Sequence, residues 1–239
     1  MHNIATAIPV ENVASLIGWW RDAGVDTLID DVPTPWLDRN KRVGVLPTAT
    51  PAPIEQGLPD TLDAFKAWWI SDSPIAGAGP AQTRVAPLGA IAPQVMILID
   101  MPELDDHREG LLLAGPCGIL IDNMLKAVGL DRSHAYIASL SPSRALTGKI
   151  ADGDISALAR IAAHHIGLVA PERLWLMGST VSRAMLGMDD SEARGILHNF
   201  NHESGTVPAV ASFAPRFLLQ HPAQKARVWA DMHLLFKRD

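Results

Sequence analysis

Cysteine is almost absent from this 239-residue chain: Cys117 is the single one. One thiol excludes an intramolecular disulfide and any four-cysteine zinc or iron–sulfur site. It also fits a reducing, cytoplasmic compartment. Long apolar runs are missing, since none reaches the roughly 18 residues of a membrane span; no membrane partner is expected. The opening "MHNIATAIPVENV" lacks a basic region followed by an apolar one, so no secretory leader is expected. Excess positive charge is lacking too. The net charge is −6, which argues against avid, nonspecific nucleic-acid binding. Charged residues make up 19% and hydrophobic ones 48%, enough for a full core and too apolar for general disorder.

The charge that is present is unevenly placed. Residues 1–75 hold five Lys/Arg against ten Asp/Glu, net −5, while the stretch from Val210 onward is net +3. An acidic N-terminal part offers a surface to a protein partner, and a basic C-terminal end permits a local anionic one.

Residues 9–24 read as a helix with Leu16, Trp19 and Trp20 on one face, stopped near Gly24. Asp26, Asp30 and Asp31 follow, as a solvated turn rather than a cation site. Pro47, Pro51, Pro53 and Pro59 mark a linker. "TLDAFKAWWISD" (61–72) is a short amphipathic helix capped by Thr61 or Asp60. The glycines of 74–80 follow no strand and precede no Lys-Ser/Thr, so they form no phosphate loop.

From residue 95 strands and helices alternate. "VMILI" (95–99), "AYIAS" (135–139), "RLWLMG" (173–178) and "VPAVASF" (207–213) are strands. Residues 118–130, 154–169, 179–187 and 223–238 are helices. Such alternation predicts a three-layer α/β/α fold around a mostly parallel four-stranded sheet. Residues 1–90 then form a helical N-terminal extension with a Pro-rich linker, and 91–239 the α/β domain. In such sheets the site lies at the carboxyl ends of the strands. Those ends are Asp100, Ser139, Gly178 and Phe213. Asp100 there either activates water or caps the next turn. Gly178 and Ser179 precede a helix N-terminus, which suits an anion but is also how a strand turns into a helix. His164 and His165 are adjacent on a helix and point apart, one buried and one exposed, which argues against paired metal ligands.

Five segments in order carry a family likeness: Ile99–Asp100–Met101–Pro102–Glu103; Gly110–Leu111–Leu112–Leu113; Gly115–Pro116–Cys117–Gly118; residues 168–187; and Ser212–Phe213–Ala214–Pro215 with the Leu-Leu-Gln-His-Pro and Trp-Ala-Asp that follow. Over residues 95–232 the chain resembles the uracil-DNA glycosylase superfamily, most closely its bacterial iron–sulfur branch, family 4. The resemblance implies hydrolysis of the N-glycosidic bond of uracil or another deaminated base in DNA. It implies Asp100 as the catalytic carboxylate, and Met101, Pro102, Leu113, Ser139 and Ala214 around the base. It implies Gly178, Ser179, Thr180, Pro215, Arg216 and Phe217 at the DNA backbone or as a wedge, with Phe217 alternatively a core contact of the last helix.

The sequence departs from the family at the chemistry. The cluster cysteines are missing, so no cofactor and no metal are expected. The motif histidine is Ala214, the stacking aromatic is Leu113, and the amide that reads uracil falls at Ser139, whose hydroxyl makes fewer paired hydrogen bonds. Two functions follow: a weak or altered glycosylase, or a non-catalytic relative that binds DNA, a nucleotide or a protein through the same crevice.

Overall fold

The computed structural model describes residues 57–202 and 205–237. The helix expected at 9–24, the acidic turn at 26–31 and Pro47, Pro51 and Pro53 lie outside them. The chain divides into two compact units, Met1–Thr48 and Ala49–Asp239, and the described residues belong to the second.

In chain order the elements are α1 (Leu62–Ile70), β1 (Val95–Ile99), α2 (Leu104–Glu109), α3 (Pro116–Ala127), β2 (Ala135–Ser139), α4 (Asp152–Val169), β3 (Leu174–Met177), α5 (Ser179–Leu186), α6 (Asp190–Ala193), β4 (Leu197–His202), β5 (Gly205–Ser212), α7 (Pro215–Gln220) and α8 (Lys225–Phe236). The sheet order is β2-β1-β3-β5-β4. The pairs β1·β2, β1·β3 and β3·β5 are parallel, and β4 joins β5 antiparallel.

The sheet therefore has five strands, not the four expected. The missed strand, "LHNFNH", buries only Phe200 and lacks the apolar run of a central strand. As an antiparallel edge it needs only one covered face. Three short helices, α2, α6 and α7, are likewise absent from the elements expected above. Pro215 opens α7, where its missing N–H costs nothing and its fixed φ suits the helix.

Strand alternation sorts the core into two layers. Met96, Leu98, Tyr136 and Ala138 face α1, α4 and α5 through Phe65, Trp69, Leu158, Ile161 and Val181. Val95, Ile97, Ile99, Ala135 and Ile137 face α3, α7 and α8 through Ile121, Leu125, Leu218, Val228 and Met232. Residues 57–90, read above as part of the extension, pack on the first face through α1, whose cap is Thr61.

His165 lies in that first layer, 2% exposed. Its Nε2 meets the Tyr136 hydroxyl at 2.9 Å, and its ring stacks on Phe65 at 4.2 Å. His164, half-buried, donates to the Pro59 carbonyl at 2.9 Å. Burial, with Lys66 and His164 adding to it, depresses the His165 pKa to about 3. Below the ordinary value near 6.5 the unfolded chain takes a proton that the folded one refuses. Stability from His165 is thus complete above about pH 6.5 and falls as pH drops toward 3, by at most about 1.4 kcal/mol per pH unit. Thermal melts between pH 7.5 and 4.5 should show a steep drop in Tm for the wild type and a shallower one for His165→Gln. Parallel curves would rule His165 out as the source.

Candidate active site

The first strand ends against a proline turn, and that turn assembles the site. Asp100 leaves β1, where Ile99 is paired with Ser139 of β2. Its backbone carbonyl accepts from the Ser141 N–H at 3.0 Å, and Oδ1 accepts from the Met101 N–H at 2.9 Å. Its other oxygen, Oδ2, accepts from the Arg216 guanidinium. Met101 is buried, and the Pro102 carbonyl accepts from Arg144 at 3.1 Å.

Arg216 is the centre of a four-membered ion cluster. Besides Asp100 it donates to Glu103 Oε1 at 3.2 Å, and Glu103 Oε2 lies 3.5 Å from Arg144. Burial works against charge on Arg216, but Asp100 and Glu103 together outweigh it and raise its pKa. Burial also raises Glu103, and the two arginines pull it only part of the way back. Cys117 sits beside Glu103, and burial with that neighbour lifts its thiol to about 12, so it is held as a neutral thiol. Asp106 is fully buried and holds the turn: Oδ2 accepts from the Glu103 N–H and Oδ1 from the Ala114 N–H, each at 2.9 Å.

Leu113 lies on the α3 side of the sheet with Ile99. Strand alternation from Ala135 and Ile137 puts Ser139 on that side too. Leu113 is 0% exposed and adopts φ +54°, unusual for a branched residue. Arg132, held by Asp122 at 2.6 Å, fixes it by donating to its carbonyl at 2.6 Å. Ser139 Oγ is buried and has no hydrogen-bond partner. Such orphans are uncommon in folded proteins and call for a ligand or a water.

After β3, Gly178 has φ +110°, which favours glycine, and a Cβ there would lie 3.3 Å from the Ala214 methyl. Ser179 and Thr180 begin α5, and the Gly178 carbonyl accepts from the Ser182 hydroxyl at 3.1 Å. Ser212 donates to the buried Asp231 at 3.1 Å, which ties the end of β5 to α8. Pro215 is buried. Phe217 on α7 stacks on Phe213 at 4.9 Å and meets the tilted ring of His221 at 4.4 Å, with the Arg194 guanidinium 3.6 Å from the Phe213 ring.

The structure thus brings together Asp100, Met101, Pro102 and Arg216, and separately Gly178 with Ala214. Arg216 turns inward onto carboxylates rather than outward to a phosphate, and Phe217 is engaged with two rings. Two cavities, about 280 and 450 Å³, share Thr83, Arg144, Ala145 and Leu146. The smaller is also lined by Pro102 and Glu103, and Asp100, Leu113 and Ser139 line neither. Among the described residues no group of three His, Cys, Asp or Glu is placed to hold a metal ion, and no helix is long and apolar enough to cross a membrane.

Glu103, Arg144 and Arg132 were not foreseen as site residues. Glu103 had a local signal, an acid directly after the proline and before an acidic helical turn. Arg144 and Arg132 had none, because their partners lie 41 and 19 residues away.

A carboxylate just past β1, a glycine-led turn after β3 and a proline turn after β5 follow the carboxyl ends of neighbouring parallel strands. The family model of the uracil DNA glycosylase superfamily matches residues 86–233. The chain belongs to the uracil-DNA glycosylase superfamily. No curated protein matches it. Within the superfamily, its five-stranded mixed sheet flanked by helices accords with the fold, and a glycosylase-like function on DNA is what membership suggests.

Proposed function

We propose that this protein is a cofactor-free DNA glycosylase that hydrolyses the N-glycosidic bond of uracil or another deaminated base, with altered specificity. Its nearest likeness is the family 4 branch, without the cluster. The observation that carries the reading is a carboxylate, Asp100, directly after Ile99, whose register partner across β1 and β2 is Ser139, a buried hydroxyl with no hydrogen-bond partner. In this reading the Asp100 carboxylate, fixed at both oxygens, orients water toward C1′ of an extruded nucleotide. The water oxygen bonds to C1′ as the C1′–N bond breaks. The base keeps the bonding electrons, and the proton of the water passes to the carboxylate and then to the base. Ser139 donates one hydrogen bond to the base edge, and Leu113 gives it an apolar wall in place of a stacking ring. Ala214 gives no donor to the departing base. Removing such a donor typically costs about 3–4 kcal/mol of transition-state stabilisation, so turnover is slow.

A second reading rests on Arg216. Its guanidinium occupies Asp100 Oδ2 and Glu103 in the free protein, which leaves the carboxylate poorly placed to act as a base. The fold would then bind DNA or a nucleotide in the crevice without cleavage, with the acidic residues 1–75 available to a protein partner.

An end-labelled oligonucleotide with one uracil, treated with protein and then alkali, separates the two. Alkali-labile product that Asp100→Ala lowers by about a hundredfold or more supports the enzyme. Tight binding without product, at protein excess and with other deaminated bases, leaves the second reading standing.

A further inference from the structure

The floor of the site is closed in the free protein. Met101, Leu113 and Ser139 are at most 2% exposed, and neither cavity described above is lined by Asp100. Both oxygens of Asp100 are engaged as well, Oδ1 by the Met101 N–H at 2.9 Å and Oδ2 by Arg216. For Asp100 to orient water, one of these bonds must give way. The first is a backbone bond inside the turn that fixes the residue. The second comes from a long side chain, and it is the one that can move.

Arg216 has a second place to go. Its Nη1 already donates to Glu103 Oε1 at 3.2 Å while Nη2 reaches Asp100. Glu103 Oε2 meets Arg144 at 3.5 Å, too long for a strong bond. A carboxylate accepts about four donors. Arg216, Arg144 and the Cys117 thiol each supply one to Glu103, which leaves room for the second Arg216 N–H. The post itself is fixed. Glu103 caps α2 with its N–H on Asp106 Oδ2 at 2.9 Å, and Arg144 is tied to the Pro102 carbonyl at 3.1 Å. Moving the guanidinium from its bridging position to a fork on Glu103 exchanges one charge-assisted bond for another. The cluster keeps two carboxylates and two guanidiniums throughout. The two arrangements are therefore close in free energy, and a ligand that needs Asp100 free selects the second.

We propose that Arg216 is a two-seat latch, closed on Asp100 in the free protein and swung wholly onto Glu103 when the site is at work, with Glu103 as the positioning residue that makes the release possible. The inference rests on the Asp100 reading above and gives that site its regulation: the reactive carboxylate is masked until a substrate draws the arginine to its other seat.

The test uses the full chain and needs no bond cleavage. A water-soluble carbodiimide with an amine nucleophile couples to carboxyl groups that solvent reaches, and mass spectrometry resolves Asp100 from Asp106. Asp106 is fully buried with both oxygens bonded, so its coupling reports unfolding and serves as the reference. Glu103→Gln keeps the size of the side chain and removes the charge of the second seat, so Arg216 stays on Asp100. Coupling at Asp100 relative to Asp106 is expected to fall about tenfold. Arg216→Gln removes the latch and should raise the same ratio about tenfold. Were Glu103 only a support for Arg216, Glu103→Gln would loosen the arginine and raise coupling at Asp100. That rise, or no change, overturns the proposal, as does a ratio unchanged in Arg216→Gln. Base release from the uracil oligonucleotide keeps the two inferences apart. Release that Glu103→Gln leaves unchanged overturns the latch and leaves the enzyme standing. Coupling that shifts as expected, with no release by the wild type, supports the latch and sinks the enzyme.

Discussion

Replacing Gly118 by alanine is expected to destabilise the protein by about 3–5 kcal/mol, at the far end for a single substitution. A methyl at this position would lie 1.7 Å from the Leu113 carbonyl oxygen and 2.6 Å from the Arg132 guanidinium. Neither neighbour can give way cheaply. The carbonyl is backbone, in a residue already at φ +54°, and Arg132 is held between Asp122 and that same carbonyl. To admit the methyl, the start of α3 must lift off the sheet or the Leu113 peptide must turn. Gly115→Ala is the matched comparison. Its methyl would meet an Asp105 oxygen at 2.8 Å, on a half-exposed side chain that can swing aside. Urea unfolding of both variants checks the argument. A loss below about 1 kcal/mol for Gly118→Ala would mean that the close approach carries no constraint.

Arg216→Met should cost about 3–5 kcal/mol at neutral pH, because it strands two largely buried carboxylates. Asp100 and Glu103 side chains are 14% and 17% exposed, so solvent screens them little. The sign of the pH dependence follows from burial. In the variant nothing but Arg144 opposes the upward push on Glu103, so the folded state favours its protonated form. A carboxyl whose folded pKa is raised contributes stability below the unfolded value and loses it as pH rises through the folded one. The deficit of the variant should therefore be largest near pH 7 and shrink toward pH 4.5. Urea midpoints at the two pH values measure it. A deficit that grows on acidification would show that Arg216 does not neutralise these groups. Were Arg216 instead an outward phosphate contact, its loss would barely change stability and would lower DNA affinity with a weaker salt dependence.

Much of the fold was legible because its signals are local. Continuous apolar runs such as Val95–Ile99 and Leu174–Met177 suit a doubly covered parallel strand. β4 was not legible, since an edge strand needs one buried residue and Phe200 among polar neighbours gives no period. Short helices such as α7 were hidden for a related reason: six residues hold too little periodicity to outvote a proline.

The site divides along the same line. Sequence alone determined that Asp100, Ser139 and Gly178 stand at strand ends, because a chain that alternates strand and helix must put those positions on one rim. The single cysteine likewise rules out a four-cysteine cluster site among these residues, whereas Ala214 in place of a histidine and Leu113 in place of an aromatic are what the family resemblance implies. Only the tertiary structure decided that Arg216 folds inward onto Asp100 and Glu103 and that Phe217 packs against Phe213 and His221. The reason is distance along the chain. Asp100 and Arg216 are 116 residues apart, and no local pattern tells a side chain which charge, ring or open space it will meet when the sheet closes.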